Sequence, residues 1–123
     1  MRPSAESTYA PGVERDDDGF VDAIPVDYLT SGETATVDVG GTPVTVANAD
    51  GQWCAFESNC PHQSTPLGGV PLLRRTLLRC PEHGSVFDLT TGQCVLASND
   101  GWTGTLRIYR TRVVGDVVQV SLS

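Results

Sequence analysis

Two short clusters carry the chemistry legible in this chain: Cys60-Pro61-His62 and, further on, Cys80-Pro81-Glu82-His83. They read C-x-H and C-x-x-H, so each offers one thiolate and one imidazole. Two sulfur and two nitrogen donors suit a pair of sulfide-bridged irons, with cysteines on one iron and histidines on the other. Replacing two thiolates by neutral imidazoles removes negative charge and makes the reduced state easier to reach. An imidazole bound through one nitrogen also leaves the other for solvent or a partner. The same four donors could close a tetrahedral zinc site, but one residue between Cys60 and His62 is tighter than the usual spacing of about two to four. A single cysteine or histidine reads most simply as a core thiol or an exposed ring. Here both histidines of the chain closely follow a Cys-Pro pair, which favours metal, and iron–sulfur ahead of zinc. A thiol-catalysed enzyme is the weakest reading, because no third group is placed to orient either histidine.

Strands must position these clusters. The 123 residues suit one domain, and 13 glycines and 8 prolines beside frequent Val, Thr and Leu favour strands and turns. Residues 1–19 are polar and carry Glu14, Asp16, Asp17 and Asp18, which reads as a flexible acidic tail. Strands are expected over 20–24, 35–39 and 42–47, the last two joined by Gly40-Gly41 in a two-residue hairpin. Asn48 to Gly51 is expected to turn, 52–57 to be a strand, 72–79 a strand with its lead-in, and 86–89 a short strand. Thr90-Thr91-Gly92 turns, 97–105 is loop, and 106–114 pairs with 117–122 across Gly115-Asp116. No segment has convincing helical periodicity. The pattern predicts an all-β, antiparallel sandwich or small barrel, with the clusters on two loops at about 58–71 and 80–92. Rigid strands at the loop roots would hold the donors with little reorganisation.

The formal charge of −7 argues against nucleic acid or an anionic membrane as partner, and reads equally as favouring a partner with a basic patch or as serving solubility alone. No stretch is apolar for the length a membrane helix needs, and the N-terminus shows no secretory leader. A cytoplasmic, reducing setting is expected, in which cysteine beside histidine points to metal rather than to disulfides. Cys54 and Cys94 lie outside both clusters and read as small buried hydrophobes, with a disulfide between them as the alternative.

The stretch from Asn59 to Gly92 resembles the Rieske [2Fe–2S] domain: Cys-Pro-His ahead of Pro66-Leu67-Gly68-Gly69, then Cys-Pro-Glu-His-Gly-Ser and Phe87-Asp88 before Thr91-Gly92. The strand order from about Val21 to the C-terminus agrees more weakly. The resemblance implies residues 20–123 as the Rieske domain, with Cys60 and Cys80 on the inner iron and His62 and His83 on the outer, exposed one. High-potential members carry a cysteine in each box that join as a disulfide; the matching positions here are Thr65 and Glu82, so that bridge is absent. Ser85 matches a hydroxyl that donates to a bridging sulfide, whereas Phe87 stands where a donor tyrosine would be. A potential in the lower half of the Rieske range, roughly −150 to +300 mV, is expected. Members often cover the cluster with a proline-containing third loop. This chain has no proline after Pro81, and residues 98–104 with Trp102 stand there, the indole shielding the cluster, forming part of a docking face or packing as a core residue at a strand end.

The resemblance is greatest to soluble Rieske ferredoxins of bacterial multicomponent oxygenases. The implied function is one-electron transfer from a flavin-dependent reductase to a terminal oxygenase, a dioxygenase or a diiron monooxygenase, through brief docking. With both histidines used, no 2-His-1-carboxylate iron can be built, so the chain is expected to be a carrier rather than an enzyme. A docking face is expected around the histidines, Gln63, Pro81 and Glu82. The alternatives are a small Rieske subunit of a larger oxidoreductase complex and a zinc-stabilised binding module.

Overall fold

The computed structural model describes residues 19–61, 64–82, 84–97, 101–102 and 104–122. The expected tail, up to residue 18, lies outside them. Nine strands follow in order: β1 (Phe20–Pro25), β2 (Thr34–Val39), β3 (Thr42–Ala49), β4 (Gln52–Glu57), β5 (Leu77–Arg79), β6 (Val86–Asp88), β7 (Cys94–Leu96), β8 (Ile108–Val114) and β9 (Val117–Ser121). Every strand pairing is antiparallel, and no described residue is helical. Six strands form one sheet in the order β1-β9-β8-β4-β3-β2, whose outer strands β1 and β2 approach each other, so the sheet curls into a near-barrel. The remaining three form a small sheet, β5-β6-β7. No helix among the described residues is long and apolar enough to cross a membrane.

The alternation of side chains explains how the two sheets join. Along β3, Val44 and Val46 enter one core with Ile24, Val39, Ala55, Val118 and Val120. On the opposite face Ala47 and Ala49 enter a second core, with Cys54 and Phe56 of β4, Leu67, Leu78, Phe87 and Leu89. The register Val46↔Ala55 and Ala47↔Cys54 puts like faces together. β3 and β4 are therefore a wall buried on both sides, with the barrel interior behind it and the loop-bearing subdomain in front. Phe56 and Phe87 are wholly buried in that front core, and each such ring contributes roughly 1.5–3 kcal/mol of transfer free energy.

Both expected hairpins form, Gly40-Gly41 taking φ of 57° and 91° and Gly115-Asp116 closing β8 on β9. β7 has no counterpart in the sequence reading, and three boundaries differ from it by two residues or more. Asn48 and Ala49 stay in β3, paired with Trp53 and Gln52, and the turn is confined to Asp50-Gly51, both at positive φ. The expected strand at 72–79 shrinks to β5, because Arg75 turns the chain at φ 50° and Arg74 bridges to Leu77. β8 begins at Ile108 rather than Leu106, whose N–H instead donates to the Gly92 carbonyl at 2.7 Å.

Candidate metal centre

The two loops that carry the cysteines are built to one design. The Cys60 N–H donates to the Thr65 carbonyl at 2.7 Å, and the Ser64 N–H returns to the Cys60 carbonyl at 2.8 Å. In the second loop the Cys80 N–H donates to the Ser85 carbonyl at 2.8 Å, and the Gly84 N–H returns to the Cys80 carbonyl at 3.0 Å. The residue four places after each cysteine takes a left-handed conformation, Ser64 at φ 60° and Gly84 at φ 81°. Both cysteines are buried, each 1 % exposed, and both belong to the front core. His62, Gln63 and His83 lie outside the described residues.

Each loop is anchored to the scaffold behind it. The first is latched to β2 by Thr34, a buried residue whose hydroxyl donates to the Val70 carbonyl at 2.7 Å. The Thr34 carbonyl accepts from the Gly69 N–H at 3.2 Å, and the Gly32 carbonyl accepts from the Leu72 N–H at 2.9 Å. Gly68 lies so close to Thr36 that a Cβ there would collide with the threonine hydroxyl. The second loop leaves through Asp88, whose carboxylate accepts from the Thr90 N–H at 2.9 Å, the Thr90 hydroxyl at 2.7 Å and the Thr76 hydroxyl at 3.3 Å. The Thr90 hydrogen bonds are the main cause that holds this carboxyl below its ordinary value. Gly92 then packs directly on the Leu106 carbonyl, where no side chain would fit.

Ser85 is wholly buried, and its hydroxyl finds no hydrogen-bond partner among the described residues. A buried hydroxyl left without a partner costs about 1–3 kcal/mol, so one at this loop position implies an acceptor supplied by something other than the described chain. Phe87, two residues on, meets the half-buried Trp102 edge to face, ring centroids 6.1 Å apart at 69°. Trp102 packs against the front core and covers Gly104 so closely that a Cβ at 104 would strike the indole. Of the expected docking residues, Pro81 and Glu82 are exposed. The rest of the expected third loop, residues 98–100 and 103, lies outside the described residues.

None of the four cysteines is in a disulfide. Cys54 is buried in the front core, and burial, with a smaller push from the Asp88 charge, raises its thiol to about 11. Cys94 is only partly buried, its sulfur 3.1 Å from the Leu96 carbonyl. The sequence reading passed over Thr34, Thr36 and the role of Gly68-Gly69. The glycine pair was the available signal, since adjacent glycines mark a close backbone approach, but the partner residues are remote in sequence.

The Rieske [2Fe-2S] domain family matches residues 19–107. The chain belongs to the Rieske family. It is 35% identical over 91 residues to the ferredoxin component of the alkene monooxygenase system of Xanthobacter autotrophicus, spanning 74% of this chain and 75% of that one. In three dimensions it resembles the ferredoxin of carbazole 1,9a-dioxygenase from Nocardioides aromaticivorans, with a TM-score of 0.72, 24% identity, and coverage of 83% and 96% of the two chains; this likeness concerns the fold. A chain from a complex of reduced oxygenase and oxidized ferredoxin in carbazole 1,9a-dioxygenase matches with a TM-score of 0.71 and 25% identity, covering 85% of this chain and 94% of that one. The Rieske assignment accounts for the two boxes, the all-β architecture and the small second sheet together.

The residues present suit the group that this family name implies. Two buried cysteines sit at equivalent turns of duplicate loops, one in each, and both share the front core with Phe87. Soft thiolates on separate loops suit iron and sulfide, and the Ser85 hydroxyl is a donor that lacks an acceptor among the described residues. The other two donors expected from the sequence are His62 and His83, outside the described residues.

Proposed function

We propose that this chain is a one-electron carrier, a Rieske ferredoxin that takes an electron from a flavin-dependent reductase and gives it to a terminal oxygenase. It is an electron-transfer component of an oxygenase system and not itself an enzyme. In this reading Cys60 and Cys80 hold the inner iron, His62 and His83 the outer, and residues 20–123 form the Rieske domain. The observation that carries it is the pair of duplicate loops, each presenting a buried cysteine at the same turn, with the Ser85 hydroxyl left unsatisfied beside them. The ferredoxin relative from an alkene monooxygenase system and the oxygenase–ferredoxin complex support the partner class. Four unbridged cysteines fit a reducing, cytoplasmic setting.

When bound, the cluster supplies a site that gains and loses one electron. The chain does the rest. The latches on β2 and through Asp88 hold the two loops at fixed separation, which keeps the reorganisation that accompanies a change of charge small. The Ser85 hydroxyl donates a hydrogen bond toward the buried site and favours the more negative, reduced state. Phe87 cannot donate, so this support is single and the potential stays in the lower half of the Rieske range. Pro81 and Glu82, with Gln63, form the face presented to a partner near the histidines.

Iron and acid-labile sulfide analysis of freshly purified protein, with its absorption spectrum, tests this reading. Equal amounts of iron and sulfide in a red-brown protein support it. A colourless protein containing zinc would replace it with a structural metal site.

A further inference from the structure

Phe20 is buried, 6 % exposed, yet belongs to neither core. The register shows why. Phe20 stands opposite Ser121, and Ser121 opposite Arg110; in a neighbouring row Asp22 stands opposite Gln119, and Gln119 opposite Arg112. Directly opposed residues share a side of a sheet, and the barrel core takes the other side through Val118 and Val120. The outer side is roofed by arginine. The Arg112 guanidinium lies 4.2 Å from the centre of the Phe20 ring and that of Arg110 5.4 Å, and Arg110 donates to Ser121 Oγ at 3.2 Å. Arg112 donates to Gln119 Oε1 at 2.8 Å, and the Gln119 amide donates to Asp22 Oδ1 at 2.7 Å. Two guanidinium groups and one carboxylate therefore stand together in these rows, a local excess of positive charge in a chain of net charge −7.

A cavity of about 390 Å³ adjoins this face. It is lined by Phe20 and Arg110, by Cys54 of β4 and Ile108 of β8, and by Leu89 and Thr90 in the turn after β6. Cys54 and Leu89 belong to the front core and Ile108 packs against it, so the cavity lies at the seam between the barrel and the loop-bearing subdomain. Thr90, at that seam, is the residue whose N–H and hydroxyl hold Asp88. The chain reaches Phe20 through Gly19, whose φ of 75° departs from the extended path of β1. Just before it the sequence reads Glu14-Arg15-Asp16-Asp17-Asp18, four carboxylates against one guanidinium. Three extended residues span at most about 10 Å, so Asp16, Asp17 and Asp18 are tethered within reach of both roofing guanidinium groups. A short tether gives an effective concentration on the order of millimolar.

We propose that the acidic segment Glu14–Asp18 is an intramolecular ligand of this face: its carboxylates pair with Arg110 and Arg112, and its backbone lies along the cavity between β8 and the Leu89-Thr90 turn. The inference goes beyond the electron-carrier reading and does not depend on it. Bound there, the segment straps the subdomain to the barrel. It also steadies Thr90, and through Asp88 the exit of the loop that carries Cys80. The strap is electrostatic, so added salt loosens it.

Two measurements on the full chain test it. The first compares the ¹⁵N-labelled protein with an Asp16→Asn/Asp17→Asn/Asp18→Asn variant. The guanidinium Nε–Hε signals of Arg110 and Arg112 are expected to move, while those of Arg74, Arg75 and Arg79 stay. Amide exchange at Thr90 and Gly92 should quicken about threefold. Unmoved Arg110 and Arg112 signals overturn the proposal. The second is a double-mutant cycle on melting temperature. The triple variant should melt about 4 °C lower than the unmodified chain at low salt, and the gap should close in 1 M salt. In an Arg110→Gln/Arg112→Gln background the same three substitutions should have no further effect; full additivity of the two sets overturns the pairing. In a mixture of ¹³C-labelled and ¹⁵N-labelled chains, contacts between Asp16–Asp18 of one copy and Arg110 of another would give the site to a second molecule and overturn the strap. So would a shift of the Arg110 and Arg112 signals on substitution that appears only once a reductase or oxygenase is added.

Discussion

Ser64 and Gly84 occupy the same place in two loops of one design, and both take a left-handed backbone, at φ 60° and 81°. Each donates its N–H to the carbonyl of the cysteine four residues earlier. Glycine enters this conformation without steric cost, whereas an L side chain pays roughly 1–2 kcal/mol. The expected outcome is an asymmetry between two swaps. Gly84→Ala should destabilise the protein by about 1 kcal/mol or more, while Ser64→Gly should be neutral or stabilising. Urea unfolding of the two variants checks it, and equal losses would contradict the shared design.

Glycine at 92 answers to a different constraint. Its Cα packs on the Leu106 carbonyl, and the pair is closed by the Leu106 N–H at 2.7 Å. A methyl group there meets backbone that cannot swing aside. Gly92→Ala should therefore cost several times what Gly115→Ala costs in thermal stability, because Gly115, also at positive φ, has open space around it. Comparable melting temperatures for the two variants would contradict this junction.

The Ser85 hydroxyl separates stability from redox behaviour. Its removal leaves no described donor or acceptor unpaired, so Ser85→Ala should leave the fold intact. If the hydroxyl donates toward the cluster, the same change should lower the reduction potential. A redox titration of both proteins reads this, and an unchanged or raised midpoint would contradict the role given to Ser85.

Acid should loosen the second loop at Asp88. The Thr90 hydrogen bonds lower its carboxyl from the ordinary 3.8. A depressed folded value means that its stabilisation is present above about pH 4 and is lost as pH falls below that value. Asp88 is only partly buried, and screening by solvent keeps the effect small. Asp88→Asn should lower stability at pH 7 and flatten the loss that unmodified protein shows below pH 3.8. Urea midpoints at pH 7 and pH 3 check this, and parallel losses in the two proteins would contradict it.

Much of the fold was legible because its local signals agree with one another. Gly40-Gly41 and Gly115-Asp116 fix two hairpins, and the alternating runs beside them have one reading as strands. β7 was not legible: Cys94–Leu96 is three residues long, too short to show a period, and its pairing to β6 contains an irregularity. The start of the strand expected at 72–79 differs because composition does not reveal that Arg75 turns the chain at positive φ. At the site, the cysteines stood out through residue type and spacing, and Ser85 only through the family resemblance. The Thr34 latch did not, because it joins residues 36 apart through a hydroxyl and a carbonyl, and nothing local marks such a pair.

The asymmetric ligand set is tested most directly by pulsed EPR of the reduced protein, prepared with ¹⁵N-labelled histidine. The account predicts hyperfine coupling to nitrogens of two inequivalent imidazoles, with one lost in His62→Cys and the other in His83→Cys. Iron and sulfide present without any histidine nitrogen coupling would contradict it.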